Sequence, residues 1–306
     1  MKVALLGHTG LIGAAVYHRI VQEHPVLTCG RGNPHDRHVD LSDPDSIAAL
    51  DLDGSSTLVH CAGIVDEDFL DAGRAFRQAT QGMAALVKKA KSAGVKRFAY
   101  VSSAHIYGPF YGTINETTPP NPLHDYAIAH FASEQILRRA ASSDFCVLVL
   151  RPCAVFGIPP DTSRFRRWAL IPFGFPREAV VKGTITLASR GLQRRNFVGA
   201  QDIASVVHGW LHQHEGPLPF SAVNPIGKDS MSVLAFAELC AQVAERVTGR
   251  PCRVIRPDGP DPDPDSFEYT SIYPQDFAKA DLAKTLEQWI RTLHAATMSQ
   301  AQKERT

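Results

Sequence analysis

The chain has 306 residues, and its 32 lysine and arginine residues almost balance its 31 aspartate and glutamate residues, so the formal charge at pH 7 is +1. This balance excludes the concentrated positive charge of proteins that bind nucleic acid or anionic membranes, and we expect a small-molecule substrate. The length allows one large or two modest domains with a well-buried core.

Cysteine use and apolar patterning indicate a reducing compartment. Six cysteines occur without C-x-x-C spacing, which is typical of free thiols rather than of a disulfide framework. The N-terminus has glycines where a signal peptide needs an uninterrupted apolar core, and no stretch approaches the ~20 apolar residues of a membrane span. We therefore expect a cytoplasmic protein without a membrane partner.

The first element is a short apolar run, Val3 to Leu6, followed by glycines at positions 7, 10 and 13. Such a run predicts a buried parallel strand, and Gly7 and Gly10 permit a tight turn with close backbone approach to a pyrophosphate. The helix that follows would direct its N-terminal amides at that phosphate. By itself the motif is also compatible with a purely structural turn.

A second strand, Val26 to Cys29, ends at Gly30 and Arg31, where NAD-binding units place an acidic residue for the ribose 2′-hydroxyl. An arginine there suits a 2′-phosphate, so the sequence predicts NADP(H) as the preferred cofactor, with NAD(H) possible. The alternative is an exposed loop arginine. Farther along, Asp40 stands where an adenine could be met, before a short helix capped by Ser42 or Asp43.

Strands and helices then alternate as in a doubly wound parallel sheet. The predicted strands are residues 57–63, 98–103, 145–150 and 219–223, and the predicted helices are residues 75–93, 131–140, 202–211, 232–247 and 282–293. From about Phe156 the sequence becomes rich in proline, glycine and arginine. We therefore predict an α/β fold with a Rossmann domain, residues 1–155 with 192–223, and a smaller, discontinuous substrate-binding lobe, residues 156–191 with 224–306.

Six motifs in this order carry a resemblance to a known family. They are G-x-x-G-x-x-G at Gly7 to Gly13, H-x-A-x at His60 to Gly63, S-A-x-I-Y-G at Ser103 to Gly108, Y-x-x-x with a later glutamate at Tyr126 to Glu134, L-R-P-x-x-V-F-G at Leu150 to Gly157, and R-N-F-V-x-x-x-D-I-A at Arg195 to Ala204. The sequence resembles the extended short-chain dehydrogenase/reductase family of the NAD-dependent epimerase/dehydratase type.

The resemblance implies a homodimer, an oxidoreductase or epimerase activity, and specific site residues. The implied cofactor-binding residues, with Arg31 from the argument above, are Gly7, Thr9, Gly10, Leu11, Ile12, Gly13, Arg31, Asp40, Leu41, Cys61, Ala62, Gly63, Tyr126, His130 and Pro152. Ser103 and Tyr126 would be the catalytic pair, with His130 the third catalytic position. A positioned phenol can exchange the proton of a carbinol oxygen during hydride transfer, while Ser103 holds that oxygen.

His130 is the main departure from the family pattern, which has a lysine four residues after the tyrosine. A free tyrosine has a pKa of about 10 and needs a nearby positive charge to act as a base near neutral pH, whereas histidine titrates near 6.5. Three interpretations stay open: catalysis modified by His130, loss of redox activity with the cofactor still bound by a sensor or scaffold protein, and different chemistry on the same scaffold.

The substrate expected from the resemblance is a nucleotide-linked sugar or a related carbonyl or hydroxyl compound. Ala104 and His105 stand where the sugar-nucleotide 4,6-dehydratases have acidic residues, which argues against that elimination, and Ala104 matches the UDP-galactose epimerase pattern. Ser103, His105 and Arg195 are the candidate substrate-binding residues, with Arg195 facing a diphosphate. The other arginines of the second lobe, Arg164, Arg166, Arg167, Arg190 and Arg194, can equally cover apolar surface or pair with acids.

We expect no metal site. His208, His212 and His214 include an i, i+4 pair on a predicted helix, but no carboxylate or cysteine completes a metal set. Asp261, Asp263 and Asp265 mimic the start of a calcium loop, but intervening prolines and the lack of a loop glycine contradict it.

Overall fold

The structure is a computed structural model that describes residues 1–32, 35–213, 218–259 and 267–303. Its strands are β1 (Val3–Leu6), β2 (Val26–Gly30), β3 (Arg37–His38), β4 (Thr57–His60), β5 (Arg97–Val101), β6 (Gly112–Ile114), β7 (Cys146–Leu150), β8 (Ala154–Phe156), β9 (Thr184–Thr186), β10 (Arg194–Gly199), β11 (Phe220–Val223), β12 (Asp229–Ser232), β13 (Arg253–Ile255) and β14 (Phe267–Tyr269). Its α-helices are α1 (Leu11–Ile20), α2 (Pro44–Ala49), α3 (Ala72–Arg77), α4 (Met83–Ser92), α5 (Asp125–Ala140), α6 (Ile171–Lys182), α7 (Ala200–Leu211), α8 (Val233–Thr248) and α9 (Leu282–Lys303).

Seven strands form one parallel sheet in the order β11-β7-β5-β4-β1-β2-β3. The inner strand β1 is buried at every residue, because helices cover both faces of the sheet. The predicted Rossmann fold is therefore confirmed. The order reverses beside β1, and in such sheets this reversal opens a crevice at the carboxyl ends of the strands.

A second apolar core lies beyond the sheet. It is built mainly from α6, α8 and α9, with Phe197 of β10 and Trp289 of α9 among its fully buried side chains. Helix α6 falls in the proline- and glycine-rich stretch for which the sequence predicted no regular structure. Burial of its Phe173 and Ala179 in this core offsets the helix-interrupting effect of Pro176.

Helix α5 begins at Asp125, six residues before the predicted start at Phe131, so the predicted start of this helix was wrong. The earlier start puts Tyr126 in the first helical turn and places it one turn before His130 on the same face. Helix α9 also extends beyond its predicted end, to Lys303.

Two further observations complete the architecture. Within the described residues, no helix is long and apolar enough to cross a membrane. The three aspartates that mimic the start of a calcium-binding loop, Asp261, Asp263 and Asp265, lie outside the described residues, as does His214.

Candidate active site

The turn between β1 and α1 can be formed only with glycine at its two ends. Gly7 has φ of +84°, and a Cβ atom on it would lie 2.8 Å from the backbone nitrogen of Ala62. A Cβ atom on Gly13 would lie 2.0 Å from the carbonyl oxygen of Gly7. Real side chains cannot tolerate these separations, so the glycines bring the start of α1 directly against the turn and the end of β4.

The N-terminus of α1 offers unpaired donors. Gly10 precedes the helix without a side-chain cap, and the first turn contains no acidic residue. The N–H groups of Leu11, Ile12 and Gly13 therefore have no partner within the helix, and the helix dipole adds partial positive charge at the same place. This arrangement fits the pyrophosphate of a dinucleotide.

Two adjoining cavities, of about 680 Å³ and about 280 Å³, open at the carboxyl ends of the strands. Thr9, Arg31 and Gly63 line both of them. The other predicted site residues that line one or the other are Gly7, Gly10, Leu11, Ile12, Leu41, Cys61, Ala62, Ser103, His105, Tyr126, His130, Pro152 and Arg195. The predicted cofactor, catalytic and substrate residues are thus brought into one continuous space.

Gly13 and Asp40 are the two predicted site residues that line neither cavity. Gly13 packs beneath the turn instead. The carboxylate of Asp40 accepts hydrogen bonds from Ser42 and pairs with Arg74 at 2.9 Å. Burial raises the pKa of Asp40, but the Ser42 hydrogen bonds and the charges of Arg74 and Arg31 leave it lowered overall. Arg31, which is exposed and follows the end of β2, lies close enough to Asp40 for its charge to affect the pKa of that carboxylate.

Ser103 and Tyr126 meet at the far end of the larger cavity. Ser103 follows β5 and caps a short 3₁₀ helix, Ala104–Tyr107, by accepting a hydrogen bond from the His105 amide at 3.2 Å. Burial raises the pKa of Tyr126, and the charge of Arg167 and a hydrogen bond with Ser103 oppose that rise without cancelling it. The phenol is therefore held protonated near neutral pH, with a serine hydroxyl beside it.

His130 is buried, uncharged and fully hydrogen-bonded. Its side chain is 2% exposed, and its Nδ1 and Nε2 atoms lie 2.8 Å from the Tyr100 hydroxyl and 3.2 Å from the Ile64 carbonyl oxygen. Because a carbonyl can only accept, Nε2 carries the proton and Nδ1 accepts from Tyr100. Burial lowers the pKa of His130 to about 4. The Tyr126 ring lies against it, with centroids 4.5 Å apart.

The positive charge that faces Tyr126 comes from Arg167, which the sequence analysis named only as one of several arginines able to cover apolar surface or pair with acids. Its Nη2 atom lies 2.9 Å from Asp66, and its Nε atom lies 3.7 Å from Glu67, on the segment that follows β4. Arg167, Asp66, Tyr126 and His130 line the same cavity. The contact joins residues about a hundred positions apart, so no local pattern could have revealed it.

The predicted substrate residues lie on the same cavity. Burial lowers the pKa of His105 to about 4, and its Nδ1 atom lies 3.4 Å from Nε2 of His124. The guanidinium of Arg195 lies over the Phe110 ring, 4.7 Å from the centroid, and burial lowers its pKa. One neutral imidazole and one guanidinium therefore face the space beside Ser103.

A buried ion pair holds this end of the sheet together. Glu134 of α5 and Arg151, just after β7, are 0% and 3% exposed, and they form two hydrogen bonds of 2.7 and 3.2 Å. Ser102, after β5, donates to the same carboxylate at 2.5 Å. The pair fixes α5, and with it Tyr126, relative to the strand ends.

Comparison with known proteins identifies the family of the chain. Residues 3–224 match the NAD dependent epimerase/dehydratase family. The UDP-glucose 4-epimerase of Vibrio cholerae is 28% identical over 155 residues, which cover 47% of this chain and 45% of that protein. The chain matches less than half of the length of its curated relatives.

Solved structures share the fold over nearly the whole chain. The UDP-glucose 4-epimerase of Thermus thermophilus, in complex with NAD, has a TM-score of 0.74 at 20% identity and covers 97% of this chain and 100% of that one. RMD from Pseudomonas aeruginosa complexed with NADPH has a TM-score of 0.74 at 20% identity and covers 96% and 98%. At this level of identity the likeness establishes the Rossmann architecture.

Proposed function

The chain belongs to the NAD dependent epimerase/dehydratase family, and from that premise we propose that it is a nicotinamide-dinucleotide-dependent oxidoreductase or epimerase acting on a nucleotide-linked sugar or a related carbonyl or hydroxyl compound. The observation that carries the proposal is the single cavity that joins the uncapped start of α1 to the Ser103–Tyr126 pair. The similarity of the chain to UDP-glucose 4-epimerases supports a nucleotide-linked sugar as the substrate class. When bound, the dinucleotide would supply the hydride acceptor and donor.

The residues of the chain would bind the cofactor and the substrate and would transfer the proton. The glycine turn and the amides of Leu11 to Gly13 would hold the pyrophosphate, and Gly63 would border the dinucleotide. Ser103 orients the substrate oxygen, and Tyr126 gives or takes the proton at that oxygen. Arg195 would meet the diphosphate of the substrate, because a planar guanidinium suits that group.

We assign Arg167 the electrostatic role that a lysine has elsewhere in the family. It faces Tyr126 with a permanent positive charge and stabilises the phenolate form, while Asp66 fixes its position. His130 supplies no charge at neutral pH and positions the Tyr126 ring by packing against it. For His130 to hold the ribose, as the sequence suggested, one of its two hydrogen bonds would have to be exchanged.

Tyr126→Phe tests the proposal, because it removes the hydroxyl and keeps the ring. The purified protein would be incubated with a panel of nucleotide-linked hexoses, following epimer formation by NMR and hydride transfer by nicotinamide absorbance. We expect turnover in the wild type and a loss of at least about a hundredfold in the variant, with dinucleotide binding retained. Equal turnover by both proteins would refute the role of Tyr126.

NADP(H) preference rests on Arg31, whose exposed guanidinium borders both cavities. Arg31→Asp should weaken NADPH binding much more than NADH binding, as measured by nicotinamide fluorescence titration. Lys96→Asp, at a residue that lines neither cavity, is the charge-matched control. Equal loss of both dinucleotides in the Arg31 variant would remove the argument for a 2′-phosphate contact.

A dinucleotide-binding sensor or scaffold is the second candidate, and one observation favours it. The residue that follows Tyr126 by one helical turn is neutral, and the pKa of Tyr126 is raised rather than lowered. Tight NADPH binding without hydride transfer to any panel substrate would support that function. The homodimer and the cytoplasmic location stay predictions; light scattering of the purified protein tests the former.

A further inference from the structure

A cluster of imidazoles and one carboxylate lies far from the candidate active site, where the ends of α1 and α7 meet. His208 and His212 are one turn apart at the end of α7, and Glu23 follows α1. The cavities described above do not include these residues among their lining. Because α1 starts at the dinucleotide cradle and runs for ten residues, its far end is about 15 Å away.

The ligand atoms of the three side chains converge. Nε2 of His208 lies 3.1 Å from each carboxylate oxygen of Glu23, and Nε2 of His212 lies 3.0 Å from one of them. All three groups offer atoms within 4.8 Å of one another. Tetrahedral zinc, with bonds of about 2.0–2.1 Å to nitrogen and oxygen, needs its ligands about 3.3 Å apart, so only small shifts are required.

The tautomer of His212 indicates that a cation belongs between these atoms. Its Nδ1–H donates to the carbonyl oxygen of His208 at 2.9 Å, as the outer nitrogen of a metal-bound histidine usually does. In the singly protonated tautomer that binds a metal, the Nε2 lone pair points at the Glu23 carboxylate. Two acceptors at 3.0 Å repel each other unless a proton or a metal ion lies between them.

His24 provides a second, independent observation. Its ring lies 5.4 Å from that of His212, and neither of its nitrogens, both shielded from solvent, has a hydrogen-bond partner among the described residues. The negative end of the α7 dipole also favours a cation here. Arg19, a cation that competes for the carboxylate, is exposed and 3.4 Å away.

We propose that Glu23, His208 and His212 bind one first-row divalent cation, Zn²⁺ in particular, with His24 able to become the fourth ligand. Two imidazoles and a carboxylate are a donor set that zinc favours. The ion would act as a structural clip that joins α1 to α7. The proposal departs from the sequence-based expectation of no metal site, because the carboxylate that the histidine pair lacked in the sequence comes from a residue 185 positions away.

Zinc binding to the full chain tests the proposal directly. Protein freed of metal by a chelator would be titrated with zinc alone against a fluorescent zinc indicator, and Tm would be measured with and without the ion. We expect one equivalent to bind at micromolar zinc or below and to raise Tm. His208→Gln and Glu23→Gln should each weaken that equivalent at least tenfold, whereas His18→Gln, an exposed histidine of α1, should leave it unchanged.

X-ray absorption at the zinc edge separates this site from binding elsewhere. We expect nitrogen and oxygen ligands only, with fewer imidazoles in His208→Gln. Zinc binding that the His208 and Glu23 variants share with the wild type, or sulfur ligation from cysteine, would overturn the proposal. Absence of a one-to-one zinc complex would also overturn it and leave a proton-bridged ion pair at this position.

Discussion

Replacing His130 by lysine introduces the residue that the sequence resemblance predicts at this position. The side chain would enter a site that already offers the Ile64 carbonyl oxygen and the Tyr100 hydroxyl as partners for an ammonium group. The Tyr126 ring packs against the same site, with its centroid 4.5 Å from that of His130. In its protonated form the lysine would put a positive charge beside the phenol in place of a neutral ring.

The size of the effect follows from that distance. A unit charge about 5–6 Å from the phenolate oxygen, at an effective dielectric constant of about 20, stabilises the phenolate by about 3 kcal/mol. Stabilisation of this size corresponds to roughly a hundredfold more phenolate at neutral pH. Because a more acidic phenol is also a weaker base, we expect the rate of the proton-abstracting direction to rise by about tenfold to a hundredfold.

The assay is single-turnover hydride transfer at several pH values, with His130→Gln as the matched control. Glutamine can accept from Tyr100 and donate to Ile64 without adding charge. Thermal unfolding and dinucleotide binding would establish that both variants are folded. If both variants lose turnover equally while binding the cofactor, the imidazole itself is needed and the electrostatic reasoning is wrong.

Three other outcomes follow from the structure. Gly13→Ala should abolish dinucleotide binding in a fluorescence titration, because the new Cβ would lie 2.0 Å from the Gly7 carbonyl oxygen; unchanged affinity would contradict the cradle. Glu134→Gln should cost about 3–5 kcal/mol in urea unfolding, because it leaves the Arg151 charge buried alone, and a loss below about 1 kcal/mol would contradict that view. The pKa of His130 is lowered to about 4, so the unfolded chain binds a proton that the folded state excludes, and the fold loses stability as pH falls from about 6.5 toward 4. Unfolding free energies over this range should fall less steeply in His130→Gln, and an unchanged slope would count against a buried neutral histidine.

The parts of the fold that the sequence predicted are those fixed by local pattern. Strands such as Val3–Leu6 are apolar at every position because both faces are covered. Gly13 is required by a contact within the turn, and Gly7 by a contact with Ala62 at the end of the neighbouring strand β4. The four-residue spacing of Tyr126 and His130 places them on one face only because α5 begins at Asp125, earlier than the sequence predicted. Helix α6 escaped prediction because a core distant in sequence, rather than local preference, holds it together.

The site residues that the sequence missed depend on contacts between distant segments. Arg167 reaches Asp66 across 101 positions, and Glu23 reaches His208 across 185. The sequence could not predict the charge state of His130 either. Histidine titrates near neutrality in water, and its burial in the fold determines whether the ring is neutral or protonated. The sequence shows which residue stands at each position, but the charge and the contacts of that residue depend on what surrounds it in the folded chain.

The lysine that the resemblance predicts would combine a charge and a hydrogen-bonding contact in one side chain, and we propose that this chain separates the two. The charge near Tyr126 comes from Arg167, which is held by acids on the segment after β4, while the helical position one turn from the phenol carries a neutral ring. An arginine cannot lose its charge near neutral pH, but Asp66 beside it raises the pKa of the same phenol. Burial is the largest cause of the raised pKa of Tyr126, and because Asp66 offsets part of the lowering by Arg167, the pKa stays raised although a guanidinium faces the phenol.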